Sequence, residues 1–403
     1  MYNILICEDE RDIMMPEMDG IGAMVKIRQP RKNLQLFCMA CVFPLILGGC
    51  GRDWENNYEA VSEDNIHILY DLEALDNPGE AAIYSAEWYA ADAQLLKENL
   101  FVNAVDEEMS LAEGNAWYAY IEDGGRDVTE ALILYDPSHD AGMHGGFTYG
   151  LLGTGRDYRN VAYPYPGHPD NISQIKGYDI AGDFRQDADL GFLSADSAVQ
   201  YIESVFSAVG APTVKPMAVY ALDADTLNAH EALRHETEPR DSGWTKEEEA
   251  YLVQLAQMVD NIPLADHMWV NDARSEVTET PVYAVLSQKG IEDMHIENAV
   301  QNLDVVEQGE VLSPEEAESL MLQYYTRGIA VSEIYVEEMN LRYVGVADRD
   351  GLTLIPAWIF CISRDGHGAM GDEEAKYREY EHFVIHAITG DRIEAMSAMD
   401  GRS

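Results

Sequence analysis

The stretch that most constrains this chain runs from Pro30 to Cys50. Arg31 and Lys32 precede a mostly apolar run, Leu34 to Leu47, which closes on Leu47-Gly48-Gly49-Cys50. A helix that spans a bilayer needs about 20 apolar residues. A signal-peptide core needs about 7 to 15, with positive charge before it and small residues after it. The run fits the second pattern, so the chain reads as a leader followed by an exported body. Cys7, Cys38, Cys41 and Cys50 all lie at or before the end of that leader. Cys361 is left alone in the body, so no intramolecular disulfide is expected there. Its place in the apolar run Leu354 to Ile362 reads as a small buried thiol.

The Leu-x-Gly-Cys ending resembles the lipobox of bacterial lipoproteins. That resemblance implies that the thiol of Cys50 takes a diacylglycerol group and that cleavage makes Cys50 the new N-terminus. A signal should open a chain, yet acidic residues from Glu8 to Asp19 come first. A start at Met24 gives a leader with Lys26, Arg28, Arg31 and Lys32 and no acid before Cys50, so the working start is expected at or near Met24. After Cys50, the polar residues 51–65 read as a tether between lipid and fold.

Residues 1–29 have a different character. Asn3 to Cys7 is a short apolar run followed by Glu8, Asp9 and Glu10. Then comes Asp12-Ile13-Met14-Met15-Pro16-Glu17-Met18-Asp19-Gly20. The segment resembles the receiver domain of bacterial response regulators. The resemblance implies that Glu8 and Asp9 match the acidic pair that holds Mg²⁺, and that Asp12 matches the phospho-accepting aspartate. In that family the pair and the acceptor sit on separate strands, whereas here three positions separate Asp9 from Asp12. A strand advances about 3.3 Å per residue, so two strands and a crossover helix do not fit in that gap. The segment is therefore expected to be a truncated, non-functional fragment.

The chain holds 73 Asp+Glu against 26 Lys+Arg, a formal charge of -47. Such a balance argues against nucleic acid, because phosphate contacts need clustered Lys and Arg. It also argues against docking on anionic lipid through a basic patch. Residues 1–49 hold 5 of the basic and 6 of the acidic residues, so the exported part keeps a charge of −46. With 47% hydrophobic residues the chain still has the means to build a core.

The body reads as α+β: two divergent units of antiparallel sheet with a packed helix, 66–240 and 241–395. Ser194 is placed to cap a helix with the apolar stripe Ala198, Tyr201, Ile202, Val205, Phe206 and Val209. Ser313-Pro314-Glu315-Glu316 is a fuller helix start, with Ser at the N-cap, Pro at N1 and Glu at N3. Strand-like runs and turns surround each helix: Trp117 to Ile121, Ala131 to Tyr135, Phe147 to Leu152 and Met217 to Leu222 in the first unit; Val282 to Leu286, Met294 to Ile296, Ile334 to Val346, Leu352 to Ile362 and His382 to Ile388 in the second. Two further segments, Ala86 to Leu100 and Lys246 to Val259, read as amphipathic openings of the units. Residues 153 to 169, rich in Gly, Pro and Tyr, read as a long surface loop. In the second unit, Leu354-Ile355-Pro356-Ala357-Trp358-Ile359-Phe360 and Val384-Ile385-His386-Ala387-Ile388-Thr389-Gly390 resemble lipoproteins of Gram-positive bacteria. They also resemble PepSY-like domains and extracytoplasmic regulators of a cell-wall sensor kinase. These resemblances imply a non-catalytic role at the membrane surface.

Candidate chemistry is sparse. His230 and His235 are spaced i, i+5, about 140° apart round a helix, which does not suit a zinc helix; the segment reads as a solvated connector. Asp223-Ala224-Asp225 starts like a calcium loop, but Asn228 and Arg234 stand where Gly and Glu are needed. Gly150, Gly153 and Gly155 lack a strong following helix to hold a phosphate. His139 and His144 share a Gly-rich turn. No catalytic residue, no metal site and no cofactor are expected. The expected function is that of a lipid-anchored extracytoplasmic protein that binds or regulates a protein partner at the cell surface, without enzymatic activity and without nucleic acid. The alternative is a phosphorelay protein that uses the segment around Asp12.

Overall fold

The computed structural model describes residues 65–101, 109–110, 115–123, 126–135, 145–162, 183–232, 242–270, 276–279, 282–327, 333–348, 351–370 and 373–393, with the strands Ile13–Pro16 and Gly22–Val25. The chain divides into two compact units, Met1–Glu59 and Ala60–Ser403. In the first unit, Ile13–Pro16 pairs antiparallel with Gly22–Val25, with Ile13 opposite Val25 and Pro16 opposite Gly22.

The second unit is dominated by sheet. One set of strands is wholly antiparallel. Its order is Met109–Ser110, Ala116–Asp123, Arg126–Tyr135, Gly146–Leu152, Gly290–Ile296, Val282–Ser287, Ala250–Val259, Val214–Leu222 and Arg185–Gln186. The other set is mixed. Its long strand Ile334–Asp348 runs parallel to Ile66–Ile68 and Ile262–Val270 and antiparallel to Gly351–Met370. Gly351–Met370 also pairs with Glu373–His386 and, at its start, with Glu80–Trp88, which in turn carries Val300–Glu310. The hairpin of Ala250–Val259 with Ile262–Val270 joins the two sets. Its two turn residues, Asp260 and Asn261, both have positive φ (47° and 65°), the geometry that suits the right-handed twist of the strands it connects.

This corrects the expected α+β class. Strands from both sides of residue 240 interleave: Gly146–Leu152 pairs with Gly290–Ile296, Val214–Leu222 with Ala250–Val259, and Glu80–Trp88 with Val300–Glu310. The expected units, each a sheet with its own helix, are replaced by one large mixed sheet system with few helices. Close backbone approach at one such junction requires glycine. A Cβ on Gly146 would sit 1.9 Å from the carbonyl oxygen of Ile296.

Burial on both faces explains why Ala250–Val259 is a strand. Lys246 to Val259 reads as amphipathic, yet Ala250–Val259 is a strand. Tyr251, Val253 and Leu255 face a core shared with helices Ala93–Leu100 and Ala195–Ala208, through Leu96, Ile202 and Phe206. Ala250 and Leu252 face the opposite core, with Val161 of helix Tyr158–Ala162 and Leu227 of helix Ala224–Glu231. A strand covered by helices on both faces is apolar almost throughout, so it shows no clean alternation. Ala86 to Leu100 is likewise split, between strand Glu80–Trp88 and helix Ala93–Leu100. Part of the expected surface loop is core: Tyr158, Val161 and Ala162 are buried.

The two capped helices form as expected. Ser194 Oγ accepts from Ser197 N at 3.3 Å. Ser313 Oγ accepts from Glu316 N at 3.2 Å, and Glu316 Oε2 accepts from Ser313 N at 2.8 Å, a complete capping box. Helix Pro314–Arg327 packs Ala317 and Met321 into the core of the mixed strands, with Trp358, Phe360 and Phe383. The turn at Thr389-Gly390-Asp391 is also present; Gly390 has φ 78° and Thr389 Oγ1 donates to Asp391 Oδ2 at 2.8 Å. Among the described residues no helix is long and apolar enough to cross a membrane.

Candidate functional site

Glu8, Asp9, Asp12 and Cys50 lie outside the described residues, as do His139, His144 and His235. His230 is in helix Ala224–Glu231, and its Nε2 lies 3.0 Å from Asp183 Oδ2. Both His230 and Glu231 are buried, so the expected solvated connector is in this part a packed helix. Glu231 accepts from the indole nitrogen of Trp244 at 3.1 Å. Asp223, which opens the calcium-like motif, is an N-cap whose Oδ1 accepts from Thr226 N at 3.1 Å. Gly153 and Gly155 have positive φ in the turn before the five-residue helix Tyr158–Ala162. Cys361 is buried. Among the described residues no group of three or more His, Cys, Asp or Glu is arranged to hold a metal ion.

The antiparallel strands instead bring together polar side chains that the sequence does not advertise. On one face, Tyr149 donates to Glu130 Oε1 at 3.1 Å. Glu130 is only 1% exposed, and its Oε2 has no hydrogen-bond partner. Burial raises its carboxyl from 4.5 to about 7, and the Tyr149 hydrogen bond offsets part of that rise. The same burial, with Glu130 alongside, pushes the Tyr149 phenol far up. Nearby, Arg156 bonds Glu292 Oε2 through Nε at 3.1 Å and Nη2 at 3.0 Å, with both side chains about 5% exposed or less. Ser287 Oγ donates to Glu292 Oε1 at 2.6 Å and accepts from Lys289 N at 3.0 Å.

On the other face, Tyr283 and His295 are directly opposite in the ladder, and their rings stack at 5.1 Å and 9°. The Arg159 guanidinium lies 4.0 Å above the Tyr283 ring and donates to its hydroxyl. Tyr135 Oη is 3.5 Å from His295 Nδ1, and His295 Nε2 is 3.3 Å from Glu297 Oε2. Burial raises the Tyr135 phenol well above its ordinary range, with Glu297 and Asp293 adding to it. A cavity lined by Gln257, Ala265, Val282, Glu297 and Ala299 has room for about one water molecule.

Chemically, Glu130 can take or give a proton near neutral pH. The other buried groups bond mainly to one another: Arg156 and Ser287 to Glu292, and Tyr135 and Glu297 to His295. Glu130 is missed by a reading that starts its strand at Ala131; the strand begins at Arg126. Arg156 and Arg159 carry a weak signal: two cations three residues apart in a chain so poor in them.

No protein-family model matches the chain, and no curated protein matches it. The fold is similar to the crystal structure of an uncharacterized protein from Eubacterium rectale, with a TM-score of 0.54 and 16% identity over 83% of this chain and 92% of that one. At that identity the likeness speaks for the fold alone.

Proposed function

We propose that this chain is a lipid-anchored protein on the extracytoplasmic face of the cell membrane, and that its body works by binding a protein partner and not by catalysis. The observation that carries the anchor is positional. Cys50 ends the leader-like run, and the polar residues 51–65 separate it in sequence from the first strand of the body, Ile66–Ile68. A lipid on Cys50 therefore leaves the body a short polar tether. Two acyl chains give stable anchoring where one is marginal. The non-catalytic reading is supported by the enclosure of the polar clusters, where Arg156, in the turn before helix Tyr158–Ala162, is tied to Glu292 and through it to Ser287 of the neighbouring strand. The acidic body favours a basic partner and repels anionic wall polymers.

The test is fractionation of cells that express the full chain. The protein should sediment with membranes and be released by detergent. Cys50→Ser should move it to the soluble fraction or leave an uncleaved precursor. Identical distribution of the two forms contradicts the anchor.

A further inference from the structure

We propose that the outer edge of strand Val300–Glu310 docks a basic, extended segment of a partner protein, which adds to the sheet as a further strand. The proposal rests on the binding half of the functional reading and is independent of the lipid anchor.

Among the described residues this strand pairs on one side only, with Glu80–Trp88. Its ladder shifts register between Gln301 and Asp304 and between Val305 and Glu307, then runs regularly from Glu307 to Glu310. The second irregularity leaves two consecutive apolar side chains in solvent: Val305 is 61% exposed and Val306 64%. An open edge with exposed apolar residues is a template for another strand, and proteins commonly blunt such edges with Lys. This edge carries bulges and carboxylates but no Lys, so its charge turns away acidic strands and leaves it open to a cationic one. No Lys or Arg occurs between Arg52 and Lys97, or between Lys289 and Arg327, the two stretches that supply the strand and its neighbour.

The charges present are all acidic. Asp304, Glu307 and Glu310 lie on the strand, and Glu80 and Glu87 lie opposite Glu310 and Gln301. Glu87 accepts from Asn302 Nδ2 at 2.7 Å and Glu80 from Gln308 Nε2 at 3.3 Å, so neutral amides hold these carboxylates and their charge is not cancelled. A second copy of the chain would bring the same carboxylates against this edge and be repelled. A segment that alternates Lys or Arg with β-branched residues would set cations beside Asp304, Glu307 and Glu310 and apolar groups beside Val305 and Val306, while its backbone completed the ladder.

The experiment uses the full chain in detergent and a capped ten-residue peptide that alternates Lys and Val. The control is the same peptide N-methylated at every second residue, which keeps the charge and cannot form a ladder. The proposal expects the unmethylated peptide to bind at least tenfold more tightly than the control, and to slow amide exchange within residues 301–310. Asp304→Lys with Glu307→Lys should weaken binding at least tenfold, and added salt should weaken it too. Equal binding of the two peptides means charge attraction without a docked strand and overturns the proposal. Exchange protection elsewhere overturns the edge while leaving the binding role standing. Absence of binding, or protection of 301–310 by self-association of the chain alone, also overturns it.

Discussion

Trp358 Nε1 donates a 3.0 Å hydrogen bond to the carbonyl of Leu312, the residue just before the Ser313 cap. Asn77 Nδ2 reaches the same carbonyl at 3.3 Å, and Leu312 N bonds to Ala387 O at 2.8 Å. One fully buried indole on strand Gly351–Met370 thus fixes where helix Pro314–Arg327 begins. Trp358→Phe removes the donor and part of the ring volume and should cost about 2 kcal/mol; Trp358→Ala should cost about 3–5 kcal/mol. Urea unfolding of the purified variants checks both values.

The capping box makes a sharper local test. Ser313→Ala and Glu316→Ala should each destabilise by about 1 kcal/mol. The double variant should cost less than their sum, because each single change already breaks the reciprocal arrangement. Additive losses in the same unfolding assay would show that the two bonds act separately.

Much of the local structure was legible in the sequence, because local signals determine it. Ser194 and Ser313 announce their helices through side-chain chemistry within one turn, and Thr389-Gly390-Asp391 announces a turn in the same way. The assembly was not legible. That Phe147 pairs with Ile296 depends on contacts across most of the body, and no short window encodes it. The continuous burial of Ala250–Val259 on two faces hid its period. Strand Val300–Glu310, paired on one side only among the described residues, has mostly polar exposed side chains and so lacks the apolar alternation that marks a strand. The burial of Glu130 depends on how its strand pairs with Gly146–Leu152, which no local window carries.

Glu130 predicts a pH effect with a defined sign. Its folded pKa of about 7 exceeds its ordinary value of 4.5. The folded state therefore binds more protons than the unfolded state between those values. This group's contribution to stability is fully present below about 4.5 and is lost as pH rises through about 7. Glu130→Gln should be more stable than the parent at pH 8 by on the order of 1 kcal/mol, allowing for residual solvent access. The advantage should vanish near pH 4.5. Thermal melts of both proteins across that range measure it, and a constant difference would place the Glu130 charge elsewhere.

The ion pair of Arg156 and Glu292 should show strong coupling. Arg156→Met alone strands a buried carboxylate and should cost about 3–5 kcal/mol. Pairing it with Glu292→Gln should recover a substantial part of that loss, because the uncompensated charge is gone. If the double variant is no more stable than the single one, the pair contributes chiefly through packing.

The proposed lipid on Cys50 is read out by intact mass spectrometry of the membrane-extracted protein. The predicted result is a chain that begins at Cys50, heavier than its residues by a diacylglycerol group with or without a further acyl chain. A mass that retains residues ahead of Cys50, or an unmodified Cys50, would contradict it.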